Sequence, residues 1–158
     1  MKAFRRKGTS FRAEFEPVEA SMLASLAGQV AELVEARSGN EQDPAVLRLL
    51  PDAYPGDVEA SDEFRRFTAD GLAERKVANA GVLAASVAEA AAATSATRVL
   101  IDAQQAQAWV RALTDIRLTV AARLGIEKDE DVGADDPLLR DLYDWLGFVQ
   151  GSLVEVMG

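Results

Sequence analysis

The stretch Lys2-Ala3-Phe4-Arg5-Arg6-Lys7-Gly8-Thr9-Ser10-Phe11-Arg12-Ala13-Glu14-Phe15 decides the fold class of this 158-residue chain. Phe11, Ala13 and Phe15 alternate with Arg12 and Glu14. That period of two puts apolar side chains on one face of a strand and charges on the other. Lys7-Gly8-Thr9-Ser10 is a turn cluster, so Lys2–Arg6 and Phe11–Phe15 read as the arms of a β-hairpin within residues 1–16. A lone hairpin is marginally stable in water and needs a third strand or helices to pack on. The one later candidate is Thr97-Arg98-Val99-Leu100-Ile101, a β-branched, apolar run between an alanine tract and Asp102. The expectation is a small three-stranded sheet.

Everything else reads as helix. Pro17 suits a first helical turn, where its missing N–H would be unpaired anyway. Leu23, Leu26, Val30, Leu33 and Val34 follow at helical spacing, and Ser38-Gly39-Asn40 ends the segment. Asp43-Pro44 opens a short helix through Leu50, stopped by Pro51, and Tyr54-Pro55-Gly56-Asp57 is a turn. A further short helix is expected over about Glu59–Phe67. Thr68 or Asp70 would then cap a separate helix carrying Leu72, Lys76, Leu83 and Val87 into the alanine tract, read as helix filler that also lets neighbours approach.

Residues 17–96 are thus a run of helices, and two long C-terminal helices supply the best core. In 102–125, capped by Asp102 and closed by Gly125, Ala106, Trp109, Leu113, Ile116, Val120 and Leu124 form one stripe. In 136–157, opened by Asp136-Pro137, Leu142, Trp145, Val149, Leu153 and Val156 share a face. Gly147 and Gly151 read as a small-residue ridge for a tight helix crossing. With no internal repeat and no linker, the chain reads as one domain, 1–158, of α+β class. It is a mostly α-helical bundle with a small antiparallel sheet formed by the N-terminal hairpin and the strand 97–101. The acidic loop 126–135 is the one segment expected to move.

Composition excludes more than it selects. The chain has no Cys and no His, which removes thiolate nucleophiles, Cys or His metal sites, disulfides and the usual general base near neutral pH. There is no P-loop, G-x-G-x-x-G, G-x-S-x-G or H-E-x-x-H, so no cofactor, metal or catalytic residue is assigned. A carboxylate-based enzyme is the alternative that remains. The acidic run Glu127–Asp136 lacks the order of a calcium loop and reads as a solvated charge run. The longest uncharged runs, Ala20–Ala31 and Val77–Ala88, fall short of the ~18–20 residues a membrane span needs. No apolar core follows the basic start, so no signal peptide is expected and the default location is the cytoplasm.

The net charge of −9 argues against non-specific binding to nucleic acid or anionic membranes. It also hides an asymmetry. Lys2, Arg5, Arg6, Lys7 and Arg12 all precede the first acid, Glu14, which leaves the remainder more acidic than the whole. These five residues are candidate contacts for phosphates or an acidic protein surface. The alternatives are that they decorate an exposed sheet face and edge, or meet the acidic loop of the same chain. Arg48, Asp52 and Tyr54 form a second candidate contact, against the alternative that they pin the Pro51-Asp52 turn through local hydrogen bonds. Asp115 and Arg117 lie beside the apolar stripe and read as a partly buried ion pair between helices. Trp109, Tyr143, Trp145 and Phe148 either all bury within the monomer or leave a patch that pairs two copies through the C-terminal helices.

Three segments carry a family likeness. Residues 43–54 (DPAVLRLLPDAY), 108–124 (AWVRALTDIRLTVAARL) and 143–146 (YDWL), with the opening Phe4-Arg5-Arg6, resemble an actinobacterial family of unknown-function domains over nearly the whole chain. That family contains an oxidative-stress regulator. The resemblance implies a cytoplasmic regulatory protein that acts through contacts with a sigma factor or RNA polymerase. Family genes often neighbour that of the ClpS proteolytic adaptor, which implies the alternative of an accessory to ClpS-dependent proteolysis. Redox sensing in the regulator is attributed to an N-terminal cysteine pair. This chain has no cysteine, so a thiol–disulfide switch is chemically impossible here. Met22 and Met157, at apolar helix positions, read as core residues.

Overall fold

The computed structural model describes residues 1–51, 59–126 and 135–158, with backbone alone for 59–66. Strands β1 (Lys2–Lys7) and β2 (Ser10–Phe15) form the hairpin. Gly8, at φ +63°, turns the chain between the closing pair Lys7 and Ser10, a conformation that costs glycine nothing. Helix α1 (Pro17–Glu35) follows, then α2 (Pro44–Leu49) and α3 (Glu59–Ala92). Strand β3 (Thr97–Ile101) comes next, and α4 (Ala103–Leu124) and α5 (Pro137–Met157) complete the chain. The sheet order is β1-β2-β3, antiparallel throughout, with Phe11 opposite Ile101, Ala13 opposite Val99 and Phe15 opposite Thr97.

The alternation sets the inner face. Phe11, Ala13, Phe15, Val99 and Ile101 are buried there, and Phe4 joins them from β1. Phe4 and Phe15 close on the fully buried Trp109 of α4, with ring centroids 5.4 and 6.0 Å away. This cluster fastens the sheet to the helices. A second layer comes from α1 lying along α3, where Ala20, Leu23, Ala27, Val30 and Val34 meet Ala73, Ala80, Leu83, Val87 and Ala90. The alanine tract is therefore more than filler: its small side chains bring the two helices together.

The caps follow local chemistry. The Asp102 side chain accepts from the Gln105 backbone N–H, Gln105 Oε1 accepts from the Asp102 backbone N–H, and Gly125 closes α4 in the left-handed region. Asp136 caps α5, and Asp43 caps α2.

Three expectations need correction. The separate helices over Glu59–Phe67 and from Thr68 or Asp70 are one helix, because Asp70 does not cap: its carboxylate accepts from Arg37 Nη2 of the α1 end at 2.7 Å. Nothing in the segment blocks the helical ladder, and Gly71 costs only about 1 kcal/mol within it. That helix ends at Ala92, leaving 93–96 as a connector. Second, Gly147 and Gly151 do not form a crossing ridge. A Cβ at Gly147 would sit 3.3 Å from Arg117 Nη2, so that glycine makes room for an arginine, while Gly151 faces open space. Third, Asp115 and Arg117 do not pair with each other. Asp115 pairs with Lys76 of α3, whereas Arg117 lies over the Tyr143 ring and donates to Gln150. The acidic loop lies almost wholly outside the described residues, as do Asp52 and Tyr54.

Candidate functional site

The outer face of the sheet gathers the charges that the inner face excludes. Register between β1 and β2 shifts by one residue between Lys2 and Arg5. Such a bulge adds one residue to a strand and re-aims its side chains. Here it lets Phe4 turn inward to Trp109 while Lys2 and Arg5, on either side of it, both stay outside. Arg12 stands opposite Arg5 on one side and Leu100 on the other, and Glu14 stands opposite Lys2 and Arg98. Lys2, Arg5, Arg12 and Arg98 thus surround a single acid, Glu14, around a surface depression of about 420 Å³.

Among the described residues little balances this face. Lys2 Nζ lies 3.3 Å from Glu14 Oε1, but with Lys2 four-fifths exposed this pair contributes little. Among the described residues Arg5, Arg12 and Arg98 make no ion pair or side-chain hydrogen bond. Like charges directly opposite across two strands are destabilising. The Arg5–Arg12 pair is therefore a local cost, and Leu100, 56% exposed beside it, adds apolar surface. A polar, cationic shelf with one apolar residue can hold an acidic protein segment.

The sequence candidates divide. Lys2, Arg5 and Arg12 come together on this shelf, and Lys7 stands exposed at the hairpin turn. Arg6 does not join them. Its Nη2 donates to the carbonyls of Val156 and Met157 at 3.0 and 3.4 Å, and its guanidinium lies over the Phe11 ring. It caps the C-terminal end of α5, where carbonyls lack helical partners and the helix dipole favours a cation. Arg48 is half-buried on α2, which packs on the far end of α4, where Arg123 grips Asp43 at 3.0 and 3.1 Å. Fourteen residue steps of α4, about 21 Å at 1.5 Å per residue, lie between Trp109 at the sheet and Arg123. Arg48 and the hairpin are two places, not one site.

Sequence reasoning missed Arg98. Its signal was present: alternation in β3 puts Arg98 and Leu100 on the face opposite Val99 and Ile101. It also missed Lys76, which interrupts the apolar stripe of α3. Lys76 Nζ reaches Asp115 Oδ1 at 2.6 Å, with the two side chains 15% and 4% exposed. Burial pushes the Asp115 carboxyl above its ordinary range, and the Lys76 ammonium opposes that shift. The Arg123 hydrogen bonds hold Asp43 below the usual carboxylate range. Trp109 is fully buried and Tyr143 and Trp145 are partly so, which leaves Phe148 as the exposed member of the four aromatics. Among the described residues no group of three or more carboxylates is placed to share a metal ion. No helix there is long and apolar enough to cross a membrane.

Residues 1–157 match the family described as Domain of unknown function (DUF2017). The chain belongs to that family. Relatives include proteins named oxidative stress regulator AosR from Mycobacterium tuberculosis and Mycobacterium bovis. Each is 29% identical to this chain over an alignment covering 96% of it and 84% of the relative. A protein named putative oxidative stress regulator AosR from Mycobacterium leprae is 30% identical, covering 93% of this chain and 82% of its own length. No solved structure matches the chain.

Proposed function

We propose that this DUF2017 protein is a non-enzymatic regulator of the oxidative-stress response that works by docking a protein partner on the outer face of its sheet. The partner is a component of the transcription machinery, a sigma factor or RNA polymerase itself. The regulatory half of this reading rests on the names of the mycobacterial relatives. The docking half is supported by one observation: Arg5 and Arg12 face each other with no acid between them, in a chain whose net charge is −9. An acidic partner surface supplies the missing counter-charge, while the acidic body suppresses non-specific attraction to nucleic acid.

The absence of cysteine sets a further boundary. This chain does not sense oxidant through a disulfide, so its partner contact is governed by some other input. Phe148, exposed on α5, is the residue through which a second copy would pack, and sedimentation at rising concentration reads that association. The test of the function is direct binding of the purified chain to the core polymerase and to each purified sigma factor of its source organism. Saturable binding to one of them is expected. Failure to bind any of them removes the transcriptional reading.

A further inference from the structure

A second cationic site lies between α3 and α4, remote in character from the sheet. The two helices leave a cavity of about 420 Å³ between them, within the range of roughly 300–1,000 Å³ typical of small-molecule sites. Its most buried polar feature is the Lys76–Asp115 pair, and Asp115 is the one charged residue fully buried among those described. An ammonium has three donors. Asp115 takes one, and among the described residues Lys76 makes no other hydrogen bond.

The neighbouring residues do not complete that set. Arg75 and Arg111, adjacent in sequence to Lys76 on α3 and to Val110 on α4, line the same cavity, are exposed and meet no acid among the described residues. Asn79, one turn beyond Lys76 on α3, also lines it. Thr114 is already engaged, donating to the Val110 carbonyl and accepting from Gln150 Nε2. Leu72 and Val110 supply apolar wall. A buried ion pair alone accounts for register between two helices. It does not account for two further arginines beside the same cavity that meet no acid among the described residues.

We propose that the α3–α4 cleft is a binding site for a small organic dianion with a short apolar segment, a dicarboxylate or phosphomonoester. One anionic group meets the free donors of Lys76, the other lies between Arg75 and Arg111, and the apolar segment rests on Leu72 and Val110. Such a ligand ties α3 to α4 and stabilises the folded chain by mass action.

The test is an amide-resolved NMR titration of the full chain with succinate, and separately with inorganic phosphate, against sodium chloride at matched ionic strength. Thermal unfolding is followed in the same solutions. The expected result is saturable shift changes at Asn79, Val110 and Thr114 with at least one probe, and a rise in melting temperature beyond that of sodium chloride. Arg75→Gln with Arg111→Gln leaves the Lys76–Asp115 pair intact and so preserves the fold. It weakens the titration by about tenfold or more, as loss of charge-assisted hydrogen bonds requires. Shifts that do not saturate with either probe, that cluster instead at Arg5 and Arg12, or that persist unchanged in the double variant overturn the proposal.

Discussion

Replacing Arg5 by Glu converts the like-charge pair across β1 and β2 into an opposite-charge pair with Arg12. Two effects add: relief of the repulsion and gain of a cross-strand attraction, each worth roughly 0.2–1 kcal/mol on a sheet surface. Both side chains are solvent-facing, which favours the lower part of that range, so a net stabilisation of about 0.5–1.5 kcal/mol is expected. For a chain of this length ~1 kcal/mol moves the melting temperature by about 2–4 °C. Thermal unfolding at low ionic strength should therefore show Arg5→Glu melting higher than the parent. Arg5→Ser, which removes the repulsion without adding the attraction, should fall between them. At an ionic strength of ~1 M, where the Debye length is about 3 Å, the difference should shrink markedly. A protein more stable without its native arginine is what a surface kept for binding looks like. An unchanged or lower melting temperature at low salt, or a gain indifferent to salt, refutes the reasoning.

Other elements make separate predictions. Lys76→Met leaves Asp115 buried without its counter-ion and should cost about 3–5 kcal/mol, while the double change Lys76→Met/Asp115→Leu should recover most of that loss in denaturant unfolding. Asp43→Asn keeps a good helix cap but removes the charge gripped by Arg123. Because the folded pKa of Asp43 is depressed, its contribution is complete above its ordinary value of 3.8 and is lost as pH falls through the lower folded value. The stability gap between parent and Asp43→Asn, about 0.5–1 kcal/mol for this partly exposed pair, should thus close in acid. Trp109→Ala should cost about 3–5 kcal/mol by emptying the junction of sheet and helices. Trp109→Phe should cost much less, because it also discards a buried N–H that has no acceptor among the described residues.

The legible parts of this molecule are those governed by short-range chemistry. The alternation of Phe11, Ala13 and Phe15, the glycine turn, the Asp102 cap and the αL glycine at 125 each act within a few residues, and each is where the pattern places it. The bulge in β1 was hidden because it answers to Trp109, a contact made a hundred residues downstream. The continuity of α3 was hidden because Asp70 is a plausible cap until Arg37 occupies its carboxylate. Gly147 read as a helix-packing residue because the guanidinium it accommodates comes from another helix. The shelf itself is half visible in the sequence: the hairpin cations stand in order, but Arg6 caps α5 instead of joining them, and Arg98 reaches the shelf only because β3 pairs with β2. Charge pairing over long sequence separations leaves no periodic trace.

The measurement that bears most directly on the docking account is partner affinity as a function of salt, for the parent and for Arg5→Glu/Arg12→Glu/Arg98→Glu. The account predicts that the parent's affinity for its bound sigma factor or polymerase falls steeply as salt rises. It also predicts that the triple variant, still folded by circular dichroism, binds at least about a hundredfold more weakly, as reversal of a complementary patch demands. Parent-like affinity in the folded triple variant would show that the partner sits elsewhere on the molecule.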